Sequence, residues 1–354
     1  MERAVLPTEY TPGLVSVIVP AYNQAEVILE TLDCVAHQTY QPMELILVDD
    51  GSTDGTRERI EAWTRAAAFP STLTVRCVHT ENRGSTAARN AGLALARGEF
   101  IQYLDADDLL HPEKIASQVE FSRSCGRTVY GDCRRFARRS GRILVYPALP
   151  VNRPETALDD WFRGHFVIPH AFLWKRADVA ANGPWNEQLR VNNDGEYSLR
   201  FLIRGGRWEY CPGTWVYYRT YCDMRPRVSA TKDREALGTL ASVLHEMERT
   251  LAQDGRLEAL RDSFAYQYWD LAKRAALVPE IRDPALAEYK RLRPHGPLPE
   301  PWMERILYGV LGVGVRKRLV TFLRRHFDIQ PFRVVATVDS LADLYAFDSI
   351  VKRR

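Results

Sequence analysis

Over the first hundred residues, short apolar runs rich in β-branched side chains alternate with stretches of helical period. Val15-Ser16-Val17-Ile18-Val19 is stopped by Pro20 and followed by Ala21-Tyr22-Asn23, which reads as a buried strand running into a loop. Glu44-Leu45-Ile46-Leu47-Val48 is a second such run. Its tail, Asp49-Asp50-Gly51-Ser52-Thr53-Asp54, holds turn formers and helix caps, and Thr56 to Thr64 then has helical character. Leu73 to His79 predicts a third strand. It leads into Asn82-Arg83-Gly84-Ser85-Thr86-Ala87-Ala88-Arg89-Asn90-Ala91-Gly92, which opens an Ala-rich helix to about Arg97. Phe100 to Leu104 is the fourth strand. This rhythm predicts an α/β fold with a mainly parallel sheet and helices on both faces. Ligands of such sheets bind at the carboxyl ends of the strands. The Tyr22, Asp50, Arg83 and Asp105 segments all emerge there, so one shared site is expected.

The fourth strand ends in Asp105-Ala106-Asp107-Asp108. A carboxylate pair one residue apart at a strand end can hold a divalent ion against a diphosphate, offsetting phosphate charge and stabilising a diphosphate leaving group. Acidic strand-to-loop turns are also common structural features, so this motif gains weight only from its company.

With these residues in place, the chain resembles the family 2 glycosyltransferases, inverting enzymes of the GT-A fold. The resemblance covers roughly residues 14–222. It rests on the Ser16-to-Asn23 strand, Val48-to-Asp54, Asn82-to-Gly92 and the Tyr103-to-Asp108 segment, in that order. It implies a GT-A (Rossmann-like) sheet, a nucleotide-sugar donor, Mg²⁺ or Mn²⁺, and a carboxylate general base. It further implies that Pro20, Ala21 and Tyr22 line the nucleobase and ribose pocket, and that Asp50 accepts a hydrogen bond from the base. Arg83 then lies beside the base or diphosphate, Asp105 and Ala106 face the donor, and Asp107 is the principal metal ligand with help from Asp105. Plainer readings stand beside these. Tyr22 suits core packing, Asp50 and Asp54 suit helix capping, and Arg89 suits a salt bridge on its own helix.

The base is sought further along. Val191-Asn192-Asn193-Asp194-Gly195-Glu196-Tyr197 precedes the apolar-periodic Leu199 to Ile203 and resembles the family segment carrying an acidic pair at a helix start. Here Asn193-Asp194 stands before Gly195, which leaves Asp194 as the expected base, with Glu196 second and an N-cap role for Asp194 as the plain alternative. Val167 to Arg176 resembles the strand beneath the acceptor site, where His170 is either an acceptor or phosphate contact or a structural histidine. Val216 to Arg219 and the tail to Ser229 resemble a closing loop, in which Arg219 or Arg225 would neutralise the leaving diphosphate. Arg204-Gly205-Gly206-Arg207-Trp208 superficially resembles the signature of processive synthases. It reads instead as a helix end before a strand.

After residue 228 the pattern changes, giving an expected division into a catalytic domain, 1–228, and a helical extension, 229–354. Thr231 to Gln253 and Leu257 to Leu277 have helical period; 279–301 is Pro-rich and reads as a connector. Residues 305–325 mix apolar and basic side chains. Their apolar run is shorter than the roughly 20 residues that span a bilayer. Packing on the catalytic domain is the favoured reading, and contact with an anionic membrane surface the other. Residues 333–349 predict at most a short helix.

Composition narrows the classes. With 354 residues, 45% of them apolar, the chain builds one large domain with an appendage, or two domains. A net charge of +3 without a basic stripe argues against a nucleic-acid partner. Cys34, Cys77, Cys125, Cys133, Cys211 and Cys222 form no C-x-x-C pair, and the N-terminus lacks an apolar signal region. A cytoplasmic protein with reduced thiols is therefore expected, with peripheral contact at the inner membrane face as an alternative. The functional expectation is transfer of a sugar from a nucleotide-diphosphate sugar, UDP-linked by preference, to a hydroxyl of a glycan or lipid-linked acceptor in surface polysaccharide or glycoconjugate synthesis. Two rivals are a sugar nucleotidyltransferase, which would carry a Gly-rich basic loop where Ala21-Tyr22-Asn23-Gln24 stands, and a catalytically idle sugar-nucleotide or glycan-binding module.

Overall fold

The computed structural model describes residues 6–66, 69–221, 233–294 and 334–351. Strands β1 (Thr11–Ala21), β2 (Met43–Asp49), β3 (Leu73–His79) and β4 (Gly98–Tyr103) form the parallel part of the sheet, in the order β3-β2-β1-β4. Helices α1 (Ile28–Ala36), α2 (Thr56–Ala66) and α3 (Ser85–Leu93) connect them. All seven residues of β2 are buried, as are Val15 to Ala21 of β1. Strands covered on both faces need continuous apolar runs, and that is why these two were so plain in the sequence. Gly92 of α3 sits against β1, where an added Cβ would come within 2.5 Å of Ile18 Cγ2. This close approach sets the height of α3, and so of its amino end, above the sheet.

Beyond β4 the sheet becomes mixed, and the mainly parallel character expected for it resides in its first part. A short β5 (Leu109–Leu110) and α4 (Lys114–Cys125) lead to β6 (Thr128–Arg139) and β7 (Arg142–Ala148). Helix α5 (Ala157–Phe162) precedes a 3-10 turn at Pro169–Ala171 and β8 (Phe172–Lys175). β8 lies between β4 and β6 and is antiparallel to both, so β6 runs in the direction of β4. α6 (Arg176–Asn182) and α7 (Asn193–Ile203) follow, then β9 (Trp208–Arg219), parallel to β6 and antiparallel to β5. The helix end at Arg204 and the strand start at Trp208 agree with the reading of that segment. Residues 216–219, expected in a closing loop, are instead the last four of β9. They pair with β6 from Cys133 to Phe136, which removes their freedom to swing.

Helices α8 (Arg234–Gln253), α9 (Leu257–Arg274) and α10 (Pro279–Leu292) pack on the sheet domain through α5 and α7. Phe162 meets Phe264 edge-on at 5.0 Å, and Arg256 donates to the Ile203 carbonyl at 2.7 Å. Where a connector was expected from 279 onwards, residues Pro279–Leu292 are helical. Pro279 is tolerated in the first turn, whose N–H groups lack intrahelical partners, and Tyr289 is held against Trp269 at 5.7 Å. The end of the chain returns to the sheet. β10 (Ala336–Val338) pairs antiparallel with β7, and helix Leu341–Val351 places Asp348 in a buried ion pair with Arg134 at 2.6 Å. The Pro cluster at 295–301, the 305–325 segment, Arg225 and Cys222 lie outside the described residues. Among the described residues, no helix is long and apolar enough to cross a membrane.

Candidate active site

The carboxyl edge of the parallel strands is organised by Asp50. Its amide donates to the Ala21 carbonyl at 2.8 Å, joining the ends of β1 and β2. Its carboxylate, 3% exposed, accepts the Arg83 amide at 2.9 Å and the Gly84 amide at 2.8 Å. These amides lead into α3, where a negative charge is favourable. Asp50, expected to meet a nucleobase, thus uses one bond from each oxygen to fix the β3–α3 turn. Asp49 next to it accepts the Ser52 amide and lies 3.2 Å from His79 Nδ1. The two adjacent carboxylates therefore each have partners of their own. Asp54 accepts the Ala25 amide at 3.0 Å together with the Thr56 amide and hydroxyl, so it caps α2 and ties the β1–α1 turn to it. Pro20 and Ala21 are buried in β1, whereas Tyr22 stands 46% exposed on the lip.

Behind this edge the acidic loop is braced from three sides. Asp105 accepts from Arg89 Nη2 at 2.5 Å. Burial raises the Asp105 pKa, but the Arg89 guanidinium, with a smaller contribution from His170, outweighs it and holds the carboxyl below the usual range. Arg89 therefore does not pair along its own helix; its partner lies on the next strand end. Asp107 accepts the Tyr221 hydroxyl at 2.9 Å, and burial followed by the charge of Asp105 pushes it upward. Asp108, fully buried, accepts the Arg219 amide at 2.7 Å and is raised well above the carboxylate range by burial and by Asp107 and Asp105. The Arg219 side chain bonds the Asp107 carbonyl and Glu30, both at 2.7 Å, and is 4% exposed. It is a brace for the loop and is not placed to reach out to a leaving diphosphate. Ala106 is buried, its carbonyl 3.0 Å from the Thr31 hydroxyl.

One carboxylate oxygen each of Asp105 and Asp108 and one ring nitrogen of His170 lie within 4.8 Å of one another. His170 is wholly buried; neither ring nitrogen, nor Asp108 Oδ2, has a hydrogen-bond partner, although Asp108 Oδ2 is 3.3 Å from His170 Nδ1. Burial pushes the His170 pKa down to about 3, so its ring is neutral and keeps a lone pair. Crowded carboxylates with idle buried acceptors are a donor set suited to a divalent cation. The residues present fit such an ion. The grouping gathers Asp105 with Asp108 and His170, while Asp107 stands beside them on Tyr221.

The opposite wall is the amino end of α7. Asn192 adopts a left-handed conformation, φ 55°, and a Cβ on Gly195 would come within 2.4 Å of its Oδ1. Glycine thus leaves room for the Asn192 side chain where this chain departs from an acidic-aromatic pattern. Asn193 Nδ2 donates to the Ser85 hydroxyl at 3.2 Å, which sets the first turn of α7 against the first residue of α3. Glu196 is engaged by Arg200 at 2.7 Å and buried. Asp194 is partly exposed, and its side chain makes no hydrogen bond or ion pair with a described residue. Arg83 reaches across to Glu187 at 2.7 Å, and Asn90 exchanges bonds with the Trp185 backbone at 2.9 Å in both directions. Asn90, Trp185 and Tyr221 were not anticipated. Asn90 sat in view beside Arg89, but Tyr221 has no local signal.

Residues 16–181 match the family model described as Glycosyl transferase family 2. Glycosyltransferase GlyG of Streptococcus pneumoniae is 41% identical over 135 residues, 38% of this chain and 43% of the relative. The putative teichuronic acid biosynthesis glycosyltransferase TuaG of Bacillus subtilis is 37% identical over 35% of this chain and 48% of its own length. The amylovoran biosynthesis glycosyltransferase AmsB of Erwinia amylovora is 34% identical over 47% and 56%. The chain thus spans about half the length of these curated relatives. In fold it is similar to S. aureus TarS 1-349 in complex with UDP-GlcNAc, at a TM-score of 0.54 and 16% identity, covering 79% of this chain and 90% of that one. It is also similar to the mannosyltransferase PcManGT of Pyrobaculum calidifontis in complex with GDP-Man and Mn2+, at 0.50 and 18%, covering 93% and 92%. The strand-end motifs, the curled mixed sheet and these matches agree: residues 16–181 carry a domain that matches glycosyl transferase family 2.

Proposed function

We propose that the chain is a metal-dependent, inverting glycosyltransferase that moves a sugar from a nucleotide-diphosphate sugar to an acceptor hydroxyl, with 1–228 as its catalytic unit. The observation that carries this reading is that α3 touches both sides of one site: its Arg89 braces the acidic loop, and its Ser85 meets the first turn of α7, which bears the unpartnered Asp194. Tyr22 offers an exposed ring to a nucleobase, and the Asp50-fixed turn carries Arg83, half-exposed and paired with Glu187, as the cation for base or diphosphate. Mg²⁺ or Mn²⁺, held by the acidic loop through Asp105 with Asp107 or with the neighbouring Asp108 and His170, would supply charge neutralisation for a diphosphate leaving group. Asp194 accepts the proton of the attacking hydroxyl, for which a carboxylate without a competing partner is the right group. Glu196 is buried and paired with Arg200 one turn further along α7, and is not available for that step.

UDP-sugars are the first donors to test, because UDP-GlcNAc is the ligand named for TarS, with GDP-mannose next, named for PcManGT. The acceptor is proposed to be a glycan or lipid-linked precursor of a surface polysaccharide, after the names of TuaG and AmsB. Purified protein is screened against nucleotide sugars with Mn²⁺ by thermal shift and then by donor hydrolysis. A stabilising nucleotide sugar released as free nucleoside diphosphate supports the reading. Binding without any release favours an idle binding module, and no cation-assisted binding at all removes the proposal.

A further inference from the structure

We infer that Arg89 is a positioning residue that joins the donor-side carboxylate Asp105 to the seat of the Asp194-bearing helix through Trp185. The inference rests on the proposed function and concerns a residue that reaches neither donor nor acceptor, since its side chain is 5% exposed. The guanidinium spends one donor, Nη2, on Asp105 at 2.5 Å, while its carbon lies 4.6 Å from the centroid of the Trp185 ring. Nε and Nη1 are buried without any hydrogen-bond partner. Idle buried donors are costly to keep, so packing alone is a poor reason for an arginine here; a planar cation that touches both groups at once is a better one.

Trp185 in turn lies flat on Tyr197, with ring centroids 4.1 Å apart and planes 9° from parallel. Tyr197 stands one turn after Asp194 on α7, so the two side chains share a helix face. Asn90, adjacent to Arg89, clamps the Trp185 backbone by reciprocal bonds. The ring therefore has a fixed backbone, with the guanidinium on it and the base helix stacked against it. A shift of Asp105 on donor loading is transmitted to that ring by the arginine.

Lysine at position 89 keeps a charge for Asp105 but has no plane to lay on the indole. The full chain, labelled with 5-fluorotryptophan, is titrated with Mg²⁺ and UDP, and the Trp185 resonance is assigned by its loss in Trp185→Phe. Affinity is read in parallel by calorimetry. In the unaltered protein the Trp185 signal is expected to move on addition of Mg²⁺·UDP. In Arg89→Lys, UDP affinity is expected to stay within threefold while that movement is lost; in Arg89→Met both are lost, with affinity down at least tenfold. A Trp185 signal that moves equally in Arg89→Lys, or that stays still in the unaltered protein while UDP binds, overturns the inference. Failure of the unaltered protein to bind UDP or GDP with Mg²⁺ falls on the proposed function instead.

Discussion

Asp194 and Glu196 lie two positions apart, yet their surroundings give them different work. Glu196 is spent on Arg200, whereas Asp194 has no described partner and borders the α3 end through Asn193 and Ser85. Asp194→Asn is expected to leave Mn²⁺-dependent donor binding within about twofold while lowering transfer by about 10²–10⁴-fold, the usual worth of a general base. Equal turnover of the variant and the parent would remove the assignment. Asp107→Ala removes the carboxylate held by Tyr221, and its turnover is expected to vanish together with Mn²⁺-stimulated donor binding, measured by calorimetry at fixed nucleotide. Motifs in the sequence named these carboxylates. They did not show that Asp50 bonds the β3–α3 turn, or that Arg89 and Arg219 brace the acidic loop, because those partners lie 16 to 111 positions away along the chain.

At the scale of elements, β1 and β2 were legible because strands buried on both faces are continuous apolar runs, and α2 and α3 because turn formers and helical period announce them, whereas α1 was not read. Leu73–His79 was read with its observed limits. β9 was harder to read. Val216 to Tyr218 have side chains that suit a strand, but their resemblance to a closing loop pointed the other way, and pairing with β6 and β5 makes them a strand. α10 was missed for the opposite reason, since prolines argue against a helix until Tyr289 and Leu292 find buried positions. α3 illustrates how an element positions the site. Gly92→Val forces carbon atoms into the space of Ile18 and Val48, so a loss of about 1–3 kcal/mol in chemical denaturation is expected, with the amino end of α3 lifted from Asp50. Retention of the parental midpoint would mean that the contact relaxes without moving the helix.

For the whole molecule, residues beyond 334 return to the sheet that carries the candidate site, where β10 pairs with β7. Asp348 is wholly buried and forms a paired bond with Arg134, whose guanidinium also lies 4.7 Å from the Trp215 ring of β9. Removing one partner strands a buried charge, so Asp348→Ala is expected to lower stability by about 3–5 kcal/mol, read by denaturant melts, although it lies outside every motif. Asp348→Ala together with Arg134→Met is expected to recover part of that loss. The division into a sheet domain and a helical extension, natural from the change of pattern near residue 228, says nothing of this return. The sequence by itself determined the strand-helix rhythm, the edge at which polar loops gather and the identity of the acidic residues, because periodicity and turn chemistry are local. Tertiary structure alone decided which carboxylate is braced, which is left with no partner, and which arginine serves the loop. Those outcomes depend on side chains brought together from distant segments, and on burial, which no single stretch of sequence can express.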